Sequence, residues 1–541
     1  MEFTYQQNRD WNCAARRSVV MSRNGMVASS QNLASLTGYK ILARGGNAID
    51  AAVGMLCTLS VVEPHSVGIG GDAFAIIYSS KDDHLYGMNA SGRAPSKANV
   101  SWFLQQGFAK VPEDGILSVT IPGALDGWIK AVERFGKLTI SEIFEDAIYY
   151  AENGFPVTEI ISGEWQASES KIKSDRYLNQ IYTVNGRIAQ PGDVIRNPDL
   201  AKTYKLIVDN GSEIFYQGII AKAIVNFSAS KNGLIEMEDL HNHRTTWVDP
   251  ISFNYRGYEV WELPPNTQGI TALEILNILE GYDLNSFGFT SAEYYHLLIE
   301  AKKIAFQTRD SLVTDPLFYE VPIDTILSKQ YGDECRKRIN IEKISTQKIN
   351  LLNRTVPHTV YVSVVDKERN AVSFISSIFE HFGSGLTVDG TGIILQNRGS
   401  GFSIDPTHPN RIEGNKRTMH TLIPGMITQT GKCKLSFGIM GGDMQSQGHV
   451  QFIINLLDRR MNIQEAMDAP RVRHIQGNDV LIEKGIAKDI LEGLTKKGHN
   501  IIETIPPINK FGGGQAIFID DESGVLLGAS DRRKDGCAIG Y

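Results

Sequence analysis

The stretch HTVYVSVVDKERNAVSFISSIFEHFGSG, residues 358–385, decides the fold. Val360, Val362 and Val364 point to one face and Tyr361, Ser363 and Val365 to the other, the period of a β-strand. Asp366 to Asn370 supplies turn residues, and Ala371 to Ile378 predicts a second strand folding back on the first. Thr359 therefore stands at the head of a core hairpin. Threonine is favoured in strands for its shape alone, so a hydroxyl at this point is not by itself a sign of chemistry.

The run is similar to the signature block of the γ-glutamyltranspeptidase family, in which a Thr heads such a strand and is followed by Ser-Val-Val-Asp, a Gly/Asn turn and Phe-Gly-Ser/Thr-Gly. In this chain those are Thr359, Ser363 to Asp366, Asn370, and Phe382 to Gly385. GGNAIDAAV (45–53) with VVEPHSVGIGGDAF (61–74) looks like the N-terminal signature of the same family, and SVTIPGALDGW (118–128) like its turn-and-helix segment. The ending SDRRKDGCAIGY resembles the family ending, so the likeness spans nearly the whole chain. It implies an α/β fold, the four-layer αββα sandwich of the N-terminal nucleophile hydrolases, in keeping with strands that have helices before, between and after them.

A threonine hydroxyl is a poor nucleophile until a base takes its proton. An α-amino group with a pKa of about 8 can serve when the threonine is itself an N-terminus. Thr359 is internal, so the His358–Thr359 bond has to be cut first. The route implied by the resemblance is self-processing, in which the Thr359 hydroxyl attacks the His358 carbonyl and the resulting ester is hydrolysed. The products would be a large fragment, 1–358, and a small one, 359–541, associated as a heterodimer. The sequence has no internal repeat or clear interdomain boundary, and strands of both fragments are expected in one intertwined core.

With 42% hydrophobic and 21% charged residues, the 541-residue chain has ample core material. A net charge of −7 gives no polybasic signature for nucleic acid or anionic lipid. No apolar run approaches the roughly 20 residues of a membrane span. The stretch MEFTYQQNRDWNCAARR lacks a basic segment followed by an apolar one, which predicts a cytoplasmic protein. Cys13, Cys57, Cys335, Cys433 and Cys537 are odd in number and scattered, fitting neither a disulfide framework nor zinc-ligand spacing. The histidines form no HExxH motif, and no metal or organic cofactor is implied.

Along the chain, Ser30–Ala43 has helical spacing and is stopped by Gly45-Gly46. Asn47 can cap a second helix, to Val62, that is apolar nearly all round and hence buried. Gly68, Gly70 and Gly71 lead into a strand, but no Lys-Ser/Thr follows and a helix precedes, which argues against a phosphate loop. Residues 129–245 read as a mostly helical, solvated layer, with 143–155 and 221–243 amphipathic. Tyr255–Pro265 predicts a strand, and Thr271–Glu280 and Tyr295–Ser311 predict helices. Ser328–Pro357 is polar and non-periodic, as suits a loose segment beside a scissile bond. Lys434–Met440, 512–519 and 524–531 predict strands, and Gly448–Arg459 a helix.

Acyl transfer needs an oxygen, a base and donors for the oxyanion. Thr359 would supply the first two. Gly441-Gly442 resembles the pair whose backbone N–H groups form the family's oxyanion hole, and Ser377 lies where the family places a second hydroxyl, often Thr, near the nucleophile. On the substrate side the chain departs from the family. The arginine that meets the α-carboxylate of a γ-glutamyl group is Ser91 here, with Arg93 nearby as a substitute. The residues matching the amine-binding Gln and Asp are Arg398 and Gly401, the paired serines are His420 and Thr421, and the family's Asn is Phe379. Arg398 would repel an ammonium and welcome a carboxylate. That pattern is similar to the branch of glutaryl-type cephalosporin acylases, in which LQNRG and His-Thr-Leu-Ile-Pro stand at these places. Two small-molecule substrate classes thus stay open, γ-glutamyl amides such as glutathione and α-deamino acyl amides such as glutaryl, with water or an amine as acceptor. A chain that is never cut would be a silent scaffold or binding protein of the same fold.

Overall fold

The hairpin forms in the expected register: Val360–Val365 pairs antiparallel with Ala371–Ser377, Val360 opposite Ser376 and Val365 opposite Ala371. In its turn Asp366 accepts hydrogen bonds from Asn370 N and Nδ2, each at 2.9 Å. The same carboxylate accepts from Ala48 N at 3.0 Å and so holds the start of the Ala48–Val62 helix against the hairpin. That helix opens on a reciprocal cap between Asn47 and Asp50 and is buried along its whole length. The computed structural model describes residues 17–288, 291–345, 358–504 and 508–541. The expectations for residues 1–16 and for the run 346–357 lie outside the described residues.

Two antiparallel sheets of seven strands carry the molecule. The hairpin lies in the middle of one, whose spatial order is Cys537–Gly540, Met26–Ser29, Val360–Val365, Ala371–Ser377, Asp72–Ser79, His84–Ala90, Thr246–Val248. The other runs Val20–Ser22, Leu526–Ser530, Gly513–Ile519, Lys432–Met440, Gly425–Gln429, Tyr258–Glu262, Ile251–Tyr255. Both sheets mix strands from before and after residue 358. Tyr361, Phe74, Ile375, Met426 and Met440 pack in the core between them. The outer face of the hairpin sheet packs Val360, Val362 and Val364 against the Ala48–Val62 helix and its neighbours. The outer face of the second sheet packs Leu435, Phe437 and Ile439 against the Gly269–Glu280, Ala292–Leu312 and Met444–Leu457 helices. These are the four layers αββα that the sequence led us to expect.

Three segments differ from the reading of the sequence. Tyr255–Pro265 is not one strand: Arg256 and Gly257 take φ of +54° and +86°, a tight turn that splits it into a hairpin of Ile251–Tyr255 with Tyr258–Glu262. Inside Ser328–Pro357, Lys329–Arg336 is a helix capped by Ser328, and it buries only Gly332 and Cys335, too few apolar positions to show a period. Residues 129–245 hold core as well as a solvated layer, because Trp165, Tyr182 and Tyr204 are buried among short helices and two small two-stranded sheets. The 221–243 segment breaks after Ser230 and resumes as Met237–His241. A further sheet, Val472–His474, Asp479–Glu483 and Asn500–Thr504, was not anticipated.

Candidate active site

Thr359 begins the central hairpin with 1% of its surface exposed, and its hydroxyl is buried without a hydrogen-bond partner among the described residues. A buried hydroxyl in that state costs about 1–3 kcal/mol, which marks the position as one not optimised for stability. The preceding residue is firmly held. Ser377 Oγ donates to the His358 carbonyl oxygen at 2.7 Å and accepts from Phe379 N at 2.7 Å, while His358 N donates to the Phe379 carbonyl at 2.8 Å. Ser377 thus already sits as a donor on the oxygen that would become negative if Thr359 Oγ1 attacked the carbonyl carbon. Phe379, which carries both clamps through its backbone, has φ of +80°, a strained value for a residue with a side chain. Gly71 lets the chain pass here, since a Cβ on it would lie 2.3 Å from the Ser377 carbonyl oxygen.

Alternation carries Thr359 to the face of Tyr361 and Ser363, which looks into the second sheet. Tyr361 lies on Gly438, where a Cβ would meet its ring at 2.5 Å, and Ser363 Oγ donates to Ser436 Oγ at 2.8 Å. Two residues beyond Gly438 that strand ends at Met440 and turns through Gly441 and Gly442, with φ of +122° and +59°. The glycine pair therefore follows the end of the strand on which the inner face of the hairpin packs. The amide of Gln268 fixes it, with Nε2 donating to the carbonyls of Thr421 (2.8 Å) and Gly442 (2.9 Å) while Oε1 accepts from Arg309 (2.8 Å).

Four of the five expected substrate residues come together. The Arg398 guanidinium lies over the Phe379 ring at 3.9 Å and donates to Thr421 Oγ1 at 3.2 Å. His420 Nε2 donates to Asp72 Oδ2 at 3.0 Å, since its Nδ1 accepts from Leu422 N. Asp72, fully buried and 3.9 Å from Arg398 Nε, also accepts from Gly92 N (2.7 Å) and Gln396 Nε2 (3.0 Å). Burial pushes the Asp72 carboxyl up to about 6 against the pull of Arg398, so it is ionised at neutral pH. Arg93 is not part of this group: it reaches Asp315 at 3.5 Å and the Asn415 carbonyl at 3.3 Å. Arg417 holds the backbone at the Ser91 position, donating from Nε to the Ser91 carbonyl at 2.9 Å. Asp72 and Arg417 escaped the sequence reading; the one available signal for the first was an acid directly after Gly70-Gly71 at the mouth of an apolar strand.

On the other side of the His358–Thr359 bond lies a second cluster that the sequence did not reveal. The His358 ring stacks on His381, centroids 3.3 Å apart. Behind it Glu164 takes a hydrogen bond from His65 Nε2 at 2.5 Å and an ion pair from Lys534 at 3.0 Å. Trp165 Nε1 donates to His65 Nδ1 at 3.0 Å, so His65 offers Glu164 a proton rather than a lone pair. Burial opposes the Glu164 charge, but Lys534 and His65 outweigh it and hold the carboxyl well below its usual range. Burial lowers His358 to about 3, so its ring is neutral.

The profile of the γ-glutamyltranspeptidase family matches residues 34–541. The chain belongs to this family. It is an enzyme, an amidohydrolase of the N-terminal nucleophile hydrolase fold. Among relatives in the γ-glutamyltranspeptidase family, it is 37% identical over 528 residues to the glutathione hydrolase-like YwrD proenzyme of Bacillus subtilis (strain 168), covering 96% of this chain and 99% of that protein. It is 35% identical over 525 residues to the acylase ACY 1 proenzyme of Pseudomonas sp. (strain SE83), covering 95% and 93%. The crystal structure of cephalosporin acylase from Bacillus halodurans superposes with a TM-score of 0.91 at 39% identity, covering 99% of both chains. The family thus joins this chain to proteins named as glutathione hydrolase-like and to proteins named as acylases. Among the described residues, Cys57, Cys335, Cys433 and Cys537 are free thiols, and no helix is long and apolar enough to cross a membrane.

Proposed function

We propose that this chain is a proenzyme that cuts itself between His358 and Thr359 and then hydrolyses amides whose acyl group ends in a carboxylate and lacks an α-amine, as glutaryl does. In the cut, Thr359 Oγ1 bonds to the His358 carbonyl carbon, the C–N bond breaks and the Thr359 nitrogen takes the proton. Water then hydrolyses the ester, leaving a His358 carboxylate and a free Thr359 amine and hydroxyl. In turnover that amine takes the hydroxyl proton, Thr359 attacks the substrate, and the amine passes the proton to the departing nitrogen. Gly441 and Gly442 N–H groups hold the oxyanion, and water or an amine takes the acyl group from Thr359.

The observation that carries the substrate class is the buried Arg398 backed by an Asp72 whose oxygens are already engaged by Gly92, Gln396 and His420. Such a group offers a substrate carboxylate a cation but leaves no free carboxylate for an ammonium. Position 401 cannot readily provide one, because a Cβ on Gly401 would meet Thr418 Oγ1 at 3.1 Å. The second reading, γ-glutamyl amides, draws on the relatives named glutathione hydrolase. Parallel turnover of glutaryl and γ-glutamyl p-nitroanilides separates them. A higher kcat/KM for the glutaryl compound is expected, and a γ-glutamyl rate greatly exceeding it would overturn the pocket argument.

A further inference from the structure

The space filled by the His358 ring has a shape and a position that the acyl pocket does not account for. His358 and His381 lie with centroids 3.3 Å apart and planes 29° apart, so the space that the His358 ring fills is a slot with the His381 ring as one wall. His381 is positioned from behind. Ser168 Oγ spends its proton on the Glu164 carbonyl at 2.9 Å and accepts from His381 Nδ1 at 2.9 Å. The other nitrogen, His381 Nε2, is then an acceptor, and it is buried with no donor among the described residues. The Glu164–Lys534 pair beneath, both within 6% of full burial, makes the floor rigid.

We propose that, once the chain is cut, this slot binds the amine half of the substrate and selects leaving groups that carry a planar aromatic or heteroaromatic ring. The inference rests on Thr359 as nucleophile. The freed Thr359 amine has to hand its proton to the departing nitrogen as the C–N bond breaks and the Thr359 Oγ1–acyl bond forms. The leaving nitrogen therefore lies within hydrogen-bond reach of Thr359 N. In the uncut chain the atom bonded to Thr359 N is the His358 carbonyl carbon, so the volume that His358 vacates is the volume beside that amine. The proposal assigns the acyl chain to the opposite side, where the Arg398 guanidinium over the Phe379 ring would meet its carboxylate. A planar ring replaces the imidazole on His381, and an N–H of the amine can meet the orphaned Nε2.

The test compares glutaryl benzylamide with glutaryl cyclohexylmethylamide, two substrates of like size and reactivity that differ in the flatness of the ring. The cut wild-type enzyme is expected to favour the benzylamide roughly three- to tenfold in kcat/KM, the strength of a stacked aromatic pair. His381→Ala, checked on a denaturing gel for cutting, should bring the ratio near one, and His381→Phe should restore it. Benzylamine should likewise inhibit wild-type turnover at lower concentration than cyclohexylmethylamine, a readout that needs no variant. Equal ratios and equal inhibition in wild type overturn the slot, as would happen if the cut tail kept His358 in place. An unchanged preference in His381→Ala also overturns it. Failure of the cut enzyme to turn over either amide would overturn the proposed function and this inference with it, whereas turnover without ring preference overturns the slot alone.

Discussion

Ser377 is one hydroxyl with two loads, the His358 carbonyl at 2.7 Å and the Phe379 N–H at 2.7 Å. Ser377→Ala should slow self-cutting by about two to three orders of magnitude, the usual loss for one oxyanion donor, while Ser377→Thr keeps most of the rate. A time course of fragment appearance on denaturing gels measures both, and a wild-type rate in the alanine variant would remove Ser377 from the reaction. After cutting, the base is an amine with a pKa of about 8. It accepts a proton only when neutral, so hydrolysis should fall about tenfold per pH unit on the acid side of that value. Arg398→Gln should cut kcat/KM for glutaryl amides roughly ten- to a hundredfold, the worth of a charged hydrogen bond, and should affect pentanoyl amides, which have no carboxylate, much less. The positions of Thr359 at the head of the hairpin, Ser377 on its second strand and Gly441-Gly442 after a strand end were legible because each lies in a contiguous motif. Asp72 and the Glu164–His65–Lys534 cluster were not, because their partners are distant in sequence: His420 stands 348 positions from Asp72, and Lys534 stands 370 from Glu164.

At the scale of elements, the hairpin and the Ala48–Val62 helix were read correctly because alternation, turn residues and caps are local signals. The Tyr255 break was missed because two residues of positive φ inside a strand-like run leave only Arg256-Gly257 as a mark. The Gly269–Glu280 helix hides a titratable group that sequence pattern treats as merely polar. Glu274, buried against the next helix and accepting from Thr308 Oγ1 at 2.8 Å, is pushed by burial from 4.5 up to about 8. Its folded form binds a proton more tightly than the unfolded chain. The stability it contributes is therefore full below the unfolded value and is lost as pH rises through about 8. Between these limits the loss is about 1.4 kcal/mol per pH unit. Glu274→Gln removes that slope. In denaturant melts on the Thr359→Ala background, the variant should gain on its parent by several kcal/mol between pH 5 and pH 8. A difference that does not change with pH would show Glu274 to be ionised in the fold.

For the whole molecule, the layer order was legible from motif likeness and the succession of helices and strands, whereas the assignment of strands to sheets was not, because it is set by pairings across hundreds of residues. Both sheets interleave strands from either side of residue 358. The two fragments of a cut chain should therefore co-elute as one particle under native conditions and separate only when the core is unfolded. Fragments that part in plain buffer would mean that each holds a core of its own. All of the proposed chemistry depends on where the chain opens. The N-terminal sequence of the small fragment from active enzyme, determined beside the Thr359→Ala chain, measures that directly. The small fragment is expected to begin Thr-Val-Tyr-Val, from Thr359, with the alanine variant remaining a single inactive chain. A fragment beginning at any other residue, or a normally cut Thr359→Ala chain, would contradict the account.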